Sequence, residues 1–261
     1  MKSRPHLLIA RPGTYSNPKC YLGCLGGCVT KVTAEHLISR RMTVRAGPRS
    51  LYDNLNRVIP NPFPWAETAK ILCRKHNSDL SVFDTAGTNL FEAIKHAFDL
   101  KEGSIDLNGN DIERFMLQRL CALTFSKVAT VSGFQAGGSI NPRLIEECFT
   151  RPTLPPPLGL YMTYPPPHVQ RPGGVHTEYT SLYNSLTRNP AGCRISFGPI
   201  SMVFFIEATE NAMLPLYNYR PSGFRFWNGD KLIQEIRLHW ENGAQSDFIG
   251  FDFDPNLYSN E

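Results

Sequence analysis

Three cysteines crowd the first thirty residues, Cys20, Cys24 and Cys28, and a fourth stands in Cys73-x-x-His76. Thiolates and a neutral imidazole are the donors that close a tetrahedral zinc site, and the Cys-x-x-His spacing lets both side chains reach one ion. On the N-terminal side three cysteines compete for two places. Cys20 and Cys28 are the favoured pair, with Cys24 held open as an alternative. Seven cysteines in all, an odd count with one tight cluster, argue for metal ligation over a disulfide framework. Cys121, Cys148 and Cys193 have no partners at ligand spacing and read as packed thiols.

The elements that would position this cluster follow from pattern. Residues 12–65 are rich in Gly, Pro, Asn and Ser around short β-branched pieces at 28–33 and 42–44, which predicts small hairpins and loops. That stretch has too little apolar periodicity to pack by itself, so a structural metal would have to substitute for a core. Residues 77–100 read as helical, with Leu80, Phe83, Leu90, Phe91, Ile94 and Phe98 at helical spacing and an interruption at Gly87. A second helix is predicted over 111–131, where Ile112, Phe115, Met116, Leu120, Leu123 and Val128 mark one face and Gly133 suits the end. Prolines 152, 155–157 and 165–167 forbid helix. Beyond them the pattern turns to strands: 200–208 is a buried one, Asn228-Gly229 a hairpin turn, and Asn242-Gly243 a further turn before Ile249, Phe251 and Phe253 at period two.

The run Ala34-Glu35-His36-Leu37-Ile38-Ser39, taken with Leu72-Cys73-Arg74-Lys75-His76-Asn77, resembles the HNH family of endonucleases over roughly residues 17–90. The resemblance implies a ββα-metal unit with a structural zinc held by Cys20, Cys28, Cys73 and His76. It implies that His36 is the general base and that Glu35 and Asn77 hold one catalytic divalent cation. The chemistry suits those residue types. A histidine with an ordinary pKa near 6.5 can take a proton from water at neutral pH. Carboxylate and amide oxygens suit Mg²⁺ or Mn²⁺, which would stabilise charge at the phosphorus and the departing oxygen. In many members an Asn five residues before the second knuckle cysteine orients the histidine; this chain has Thr68 there.

Charge points the same way. Thirteen basic and three acidic side chains lie between Met1 and His76, a net +10 that the rest of the chain offsets to an overall +4. A basic third of that kind is the footprint of phosphate binding. Lys31, Arg40, Arg41, Arg74 and Lys75 flank the candidate centre and are the expected contacts to DNA. No apolar stretch is long enough to span a bilayer and none reads as a secretory signal, so the expectation is a cytoplasmic protein without a membrane partner. The fold class expected is α+β. An HNH-like zinc-stabilised ββα-metal domain over 1–105 is followed by a helical connector over 106–150. A mainly antiparallel β domain over 151–261 then offers a surface for target or protein partner. The competing reading is a non-catalytic zinc module that binds nucleic acid or protein.

Overall fold

The structure is a computed structural model that describes residues 4–37, 68–126, 130–131, 134–135, 139–163, 177–184, 187, 189–197, 200–207 and 217–253. After a single 3₁₀ turn at Gly23–Leu25 come strands β1 (Val32–His36) and β2 (Thr68–Cys73) and helices α1 (Arg74–Asp79) and α2 (Ser81–Phe98). Strand β3 (Gly103–Asn108) leads into helix α3 (Gly109–Ser126), the short pair β4 (Thr130–Val131) and β5 (Phe134–Gln135), and helix α4 (Pro142–Thr150). Eight strands complete the described chain: β6 (Gly159–Thr163), β7 (Thr177–Tyr183), β8 (Pro190–Phe197), β9 (Ile200–Phe205), β10 (Tyr217–Tyr219), β11 (Pro221–Asn228), β12 (Lys231–His239) and β13 (Ser246–Phe253). The class is mixed α+β, and no described helix is long and apolar enough to cross a membrane.

Strands β1 and β2 pair antiparallel, Val32 opposite Cys73 and His36 opposite Thr68, with a bulge between Thr33 and Glu35. A second sheet, in the order β10-β6-β9-β8-β7, is antiparallel throughout. The third, β13-β11-β12-β3, is mixed: β11 and β12 form the hairpin expected at Asn228-Gly229, but β13 runs parallel to β11 and β3 parallel to β12. The Asn242-Gly243 turn therefore does not join neighbours. β3 already fills the free edge of β12, so the chain crosses to the far edge of β11. Period-two alternation marks which face of a strand is buried and leaves its neighbour open.

Helix α3 occupies the middle, against α2, β2, β8, β9 and β12. Gly87 does not interrupt α2; it is where α2 and α3 meet, because a Cβ there would lie 2.6 Å from the Phe115 ring. One cluster of buried apolar side chains runs from Cys20 in the knuckle, through Phe83, Phe91, Phe115 and Phe149, to Phe226 and Phe253 in the last sheet. It draws on residues from all three segments expected from the sequence. Helix α4 starts where a local signal says it should: Asn141 accepts the Arg143 N–H at 3.0 Å and Pro142 fills the first turn.

Candidate metal centre and the adjoining polar cluster

The loop that carries Cys20 and Cys28 is pinned from within by Asn17. This residue is 5% exposed, donates through Nδ2 to the Val29 and Thr30 carbonyls, and accepts the Lys19 N–H at 3.0 Å. The loop joins the strands through Tyr21 N–H to Ile71 O and Arg74 N–H to Lys31 O. Gly26, at φ +67°, lets the backbone pass so near Arg11 that a Cβ would fall 2.2 Å from its carbonyl oxygen. Cys73 ends β2 and stands at the N-cap of α1, which turns His76 back toward the loop.

These connections bring Cys20, Cys28, Cys73 and His76 together, all buried, with their four donor atoms within 4.8 Å of one another. The three sulfurs lie 3.4, 3.6 and 3.5 Å from His76 Nδ1. A tetrahedral ion with Zn–S near 2.3 Å and Zn–N near 2.05 Å would set those edges at about 3.6 Å. Hydrogen bonds to the imidazole cannot account for all three approaches, because a neutral ring nitrogen offers one lone pair and three sulfurs surround it. A cation satisfies all four. Burial lowers the His76 pKa, reinforced by the charge on Lys75, and so favours the neutral imidazole a metal needs. Burial pushes the Cys20 and Cys28 thiols up. It acts the same way on Cys73, but hydrogen bonds from the backbone at His76 and Val29 outweigh it and hold that thiol below its ordinary value. The cluster could hold a metal ion such as zinc. Cys24 is not part of it: its sulfur lies 4.0 Å from the Tyr21 carbonyl and burial pushes its pKa up to about 11.

Asn77, one residue past His76, donates through Nδ2 to Thr33 Oγ1 at 3.0 Å and thereby ties the head of α1 to β1. Glu35 lies two residues farther along that strand, roughly 7 Å away by strand rise. Its neighbour His36, the last residue of β1, is half-buried. Thr68 stands directly across from His36.

Glu35 is committed to the interior. Its Oε1 accepts from Arg119 Nη2 at 2.9 Å and from Gln118 Nε2 at 3.2 Å. Arg119 also pairs with Asp84 of α2 at 3.2 Å, and Gln118 reaches Asp84 at 3.4 Å. Two carboxylates thus share one guanidinium. Burial raises the Glu35 pKa against the pull of Arg119, and nearby Asp84 raises it further. Arg119 would be lowered by burial alone but is held above its ordinary value by Asp84 and Glu35.

Of the expected DNA contacts, Lys31 and Arg74 are exposed and neighbours through the backbone bond already described, whereas Lys75 is half-buried and paired with Asp79. Arg40 and Arg41 lie outside the described residues. Lys19, also exposed, lies on the loop that Asn17 pins to Val29 and Thr30.

Gln118 and Arg119 were also invisible to periodicity, which marks one apolar face of α3 and leaves the rest as a solvent face. The helix is in fact buried on every side, with Asn110, Asp111, Glu113, Arg114, Gln118 and Arg119 all among the buried polar residues. Searches of family models, of curated proteins and of solved structures find no match to this chain.

Proposed function

We propose that this chain is a metal-dependent nuclease of the HNH type that hydrolyses phosphodiester bonds in DNA. The observation that carries the reading is the bond from Asn77 to Thr33, which fixes the helix head that follows the Cys73–His76 knuckle against the strand that ends in Glu35-His36. Strand, strand and helix in that order, with a four-donor cluster at the junction, is the arrangement the resemblance calls for. In this reading a zinc ion in the cluster is structural and holds the Cys20–Cys28 loop to the β2–α1 junction. His36 takes the proton from the attacking water. Asn77 spends its Nδ2 on Thr33, so its carboxamide oxygen is the atom that would meet a divalent cation, with Glu35 as the carboxylate partner. That cation, Mg²⁺ or Mn²⁺, would supply charge stabilisation at the scissile phosphate. In this reading the exposed Lys19, Lys31 and Arg74 would meet the phosphate backbone.

A non-catalytic zinc module is the second reading, and one observation favours it: Glu35 already has Arg119 as its counter-ion. A supercoiled-plasmid assay across Mg²⁺, Mn²⁺ and chelator separates the two. The nuclease reading expects nicking that needs the divalent ion and falls by about 100-fold or more in His36→Ala, with zinc content and melting temperature unchanged. Salt-sensitive binding without nicking under either ion would establish the module instead.

A further inference from the structure

Arg119 has 2% side-chain exposure and reaches four oxygen acceptors. Nη2 bonds Glu35 Oε1 at 2.9 Å and pairs with Asp84 Oδ1 at 3.2 Å. Nη1 donates to the backbone carbonyls of His36 at 2.6 Å and Leu37 at 3.2 Å. Those two carbonyls are informative. The β1–β2 ladder closes at the pair His36–Thr68, so Leu37 lies beyond the last strand partner, where a β-end ordinarily frays. A guanidinium from a helix 82 residues distant in sequence caps that end. Thr68, the residue opposite His36, has no side-chain amide with which to do so.

From this convergence we infer that Arg119 is the positioning residue for the Glu35–His36–Leu37 strand end, with Asp84 as the second carboxylate that holds its guanidinium in place. The inference rests on the nuclease reading for its catalytic consequence but not for its structural one. Each contact constrains a different degree of freedom. The Glu35 bond fixes the carboxylate, the two carbonyl bonds fix the peptide planes on either side of the Leu37 Cα, and Asp84 fixes the guanidinium against α2. Gln118, the preceding residue, bridges the same two carboxylates and keeps them from separating. A side chain that served only to glue α3 to the strands would need the ion pair alone. The His36 carbonyl bond holds the peptide plane that follows the His36 Cα, one of the two planes that set the direction of its Cα–Cβ bond.

The test is Arg119→Lys, which keeps the charge but cannot span four acceptors. The plasmid assay should show kcat reduced about 100-fold, the cost of a misplacement of about 1 Å, with KM for DNA within about twofold of wild type because Arg119 does not touch substrate. Amide hydrogen exchange should quicken by about tenfold or more at residues 35–37 while the five-stranded sheet keeps its protection. Wild-type kcat in the variant would overturn the inference, as would exchange that is unchanged or rises evenly through the molecule. If Arg119→Lys fails to fold, Asp84→Asn, at a half-exposed position, is read by the same exchange measurement, and an unaltered strand end there overturns the role given to Asp84. If the wild-type chain nicks no DNA under any divalent ion, the nuclease reading fails, and exchange at residues 35–37 still decides the positioning role because it needs no substrate.

Discussion

Removing an ion from the Cys20–Cys28–Cys73–His76 site is the perturbation whose size can be worked most directly. Burial pushes the Cys20 and Cys28 thiols up, and His76 Nδ1 can accept from only one of the three sulfurs around it. Without a cation three sulfurs crowd one nitrogen that can accept from one of them, and the remaining contacts are weak sulfur–sulfur hydrogen bonds. With one, folding gains by mass action about 2.7 kcal/mol when the free ion stands about 100-fold above its Kd. For a chain of this length each kcal/mol moves the melting temperature by about 2–4 °C, so a chelator should lower it by about 5–10 °C. Differential scanning fluorimetry with and without chelator, followed by re-addition of Zn²⁺ and then Mg²⁺, measures the effect, and only Zn²⁺ should restore it. Cys73→Ser should reproduce the loss and bring zinc stoichiometry below one. Cys24→Ser is the control, since Cys24 shares the loop but turns its sulfur toward the Tyr21 carbonyl. Equal melting temperature and zinc content in Cys73→Ser and wild type would refute the argument, as would a loss in Cys24→Ser as large as in Cys73→Ser.

Two further outcomes follow from the same geometry. Combining Lys19→Ala, Lys31→Ala and Arg74→Ala should flatten the salt dependence of duplex DNA binding, with the log–log slope falling by about 2–3 as three phosphate contacts are lost; fluorescence anisotropy from low to moderate salt reads it, and an unchanged slope would move the interface elsewhere. Glu113 accepts from Arg220 Nε at 2.8 Å and from the Leu160 N–H at 2.8 Å with both charged side chains buried, so Glu113→Gln should cost about 3–5 kcal/mol in urea melts by leaving Arg220 unpaired. A cost under about 1 kcal/mol would mean that the charge on Glu113 is not what Arg220 needs.

What the sequence discloses here depends on how local each signal is. Cys73 and His76 are legible because both donors ride on one strand-to-helix junction. Cys20 and Cys28, the favoured pair, are the two the structure gathers, but what sets Cys24 aside is the 3₁₀ turn at Gly23–Leu25 and the clamp at Asn17, neither of which leaves a periodic trace. The helices at 81–98 and 109–126 show in their apolar spacing, yet Gly87 reads as a break when its function is close helix packing. The Asn228-Gly229 hairpin is visible because its partners are adjacent in sequence. The pairing of β3 with β12 joins residues more than 120 positions apart and cannot be seen in a local pattern. Glu35 was legible as a notable carboxylate, but its engagement with Arg119 was not, since that partner is 84 residues away on a helix whose charged positions look solvated.

That misleading helix explains how the molecule registers its parts. Along α3, Asp111 holds His6 of the N-terminal segment through Nδ1 at 2.7 Å and the backbone N–H at 2.9 Å, Glu113 holds Arg220 beside β11, and Arg119 holds Glu35 of β1. Apolar contacts alone would tolerate a small slide or rotation of the helix, because hydrophobic side chains of similar volume substitute for one another at low cost. The ion pairs would not. A shift of one residue advances α3 by about 1.5 Å and turns it by about 100°, which would break the His6 contacts and separate the two buried ion pairs of Glu113 and Arg119, leaving their charges without partners at a cost of several kcal/mol each. Buried ion pairs add little net stability over apolar packing, so what these contribute is register. They fix the strand that carries Glu35 and His36 relative to the antiparallel sheet and the N-terminal segment, through one rigid element.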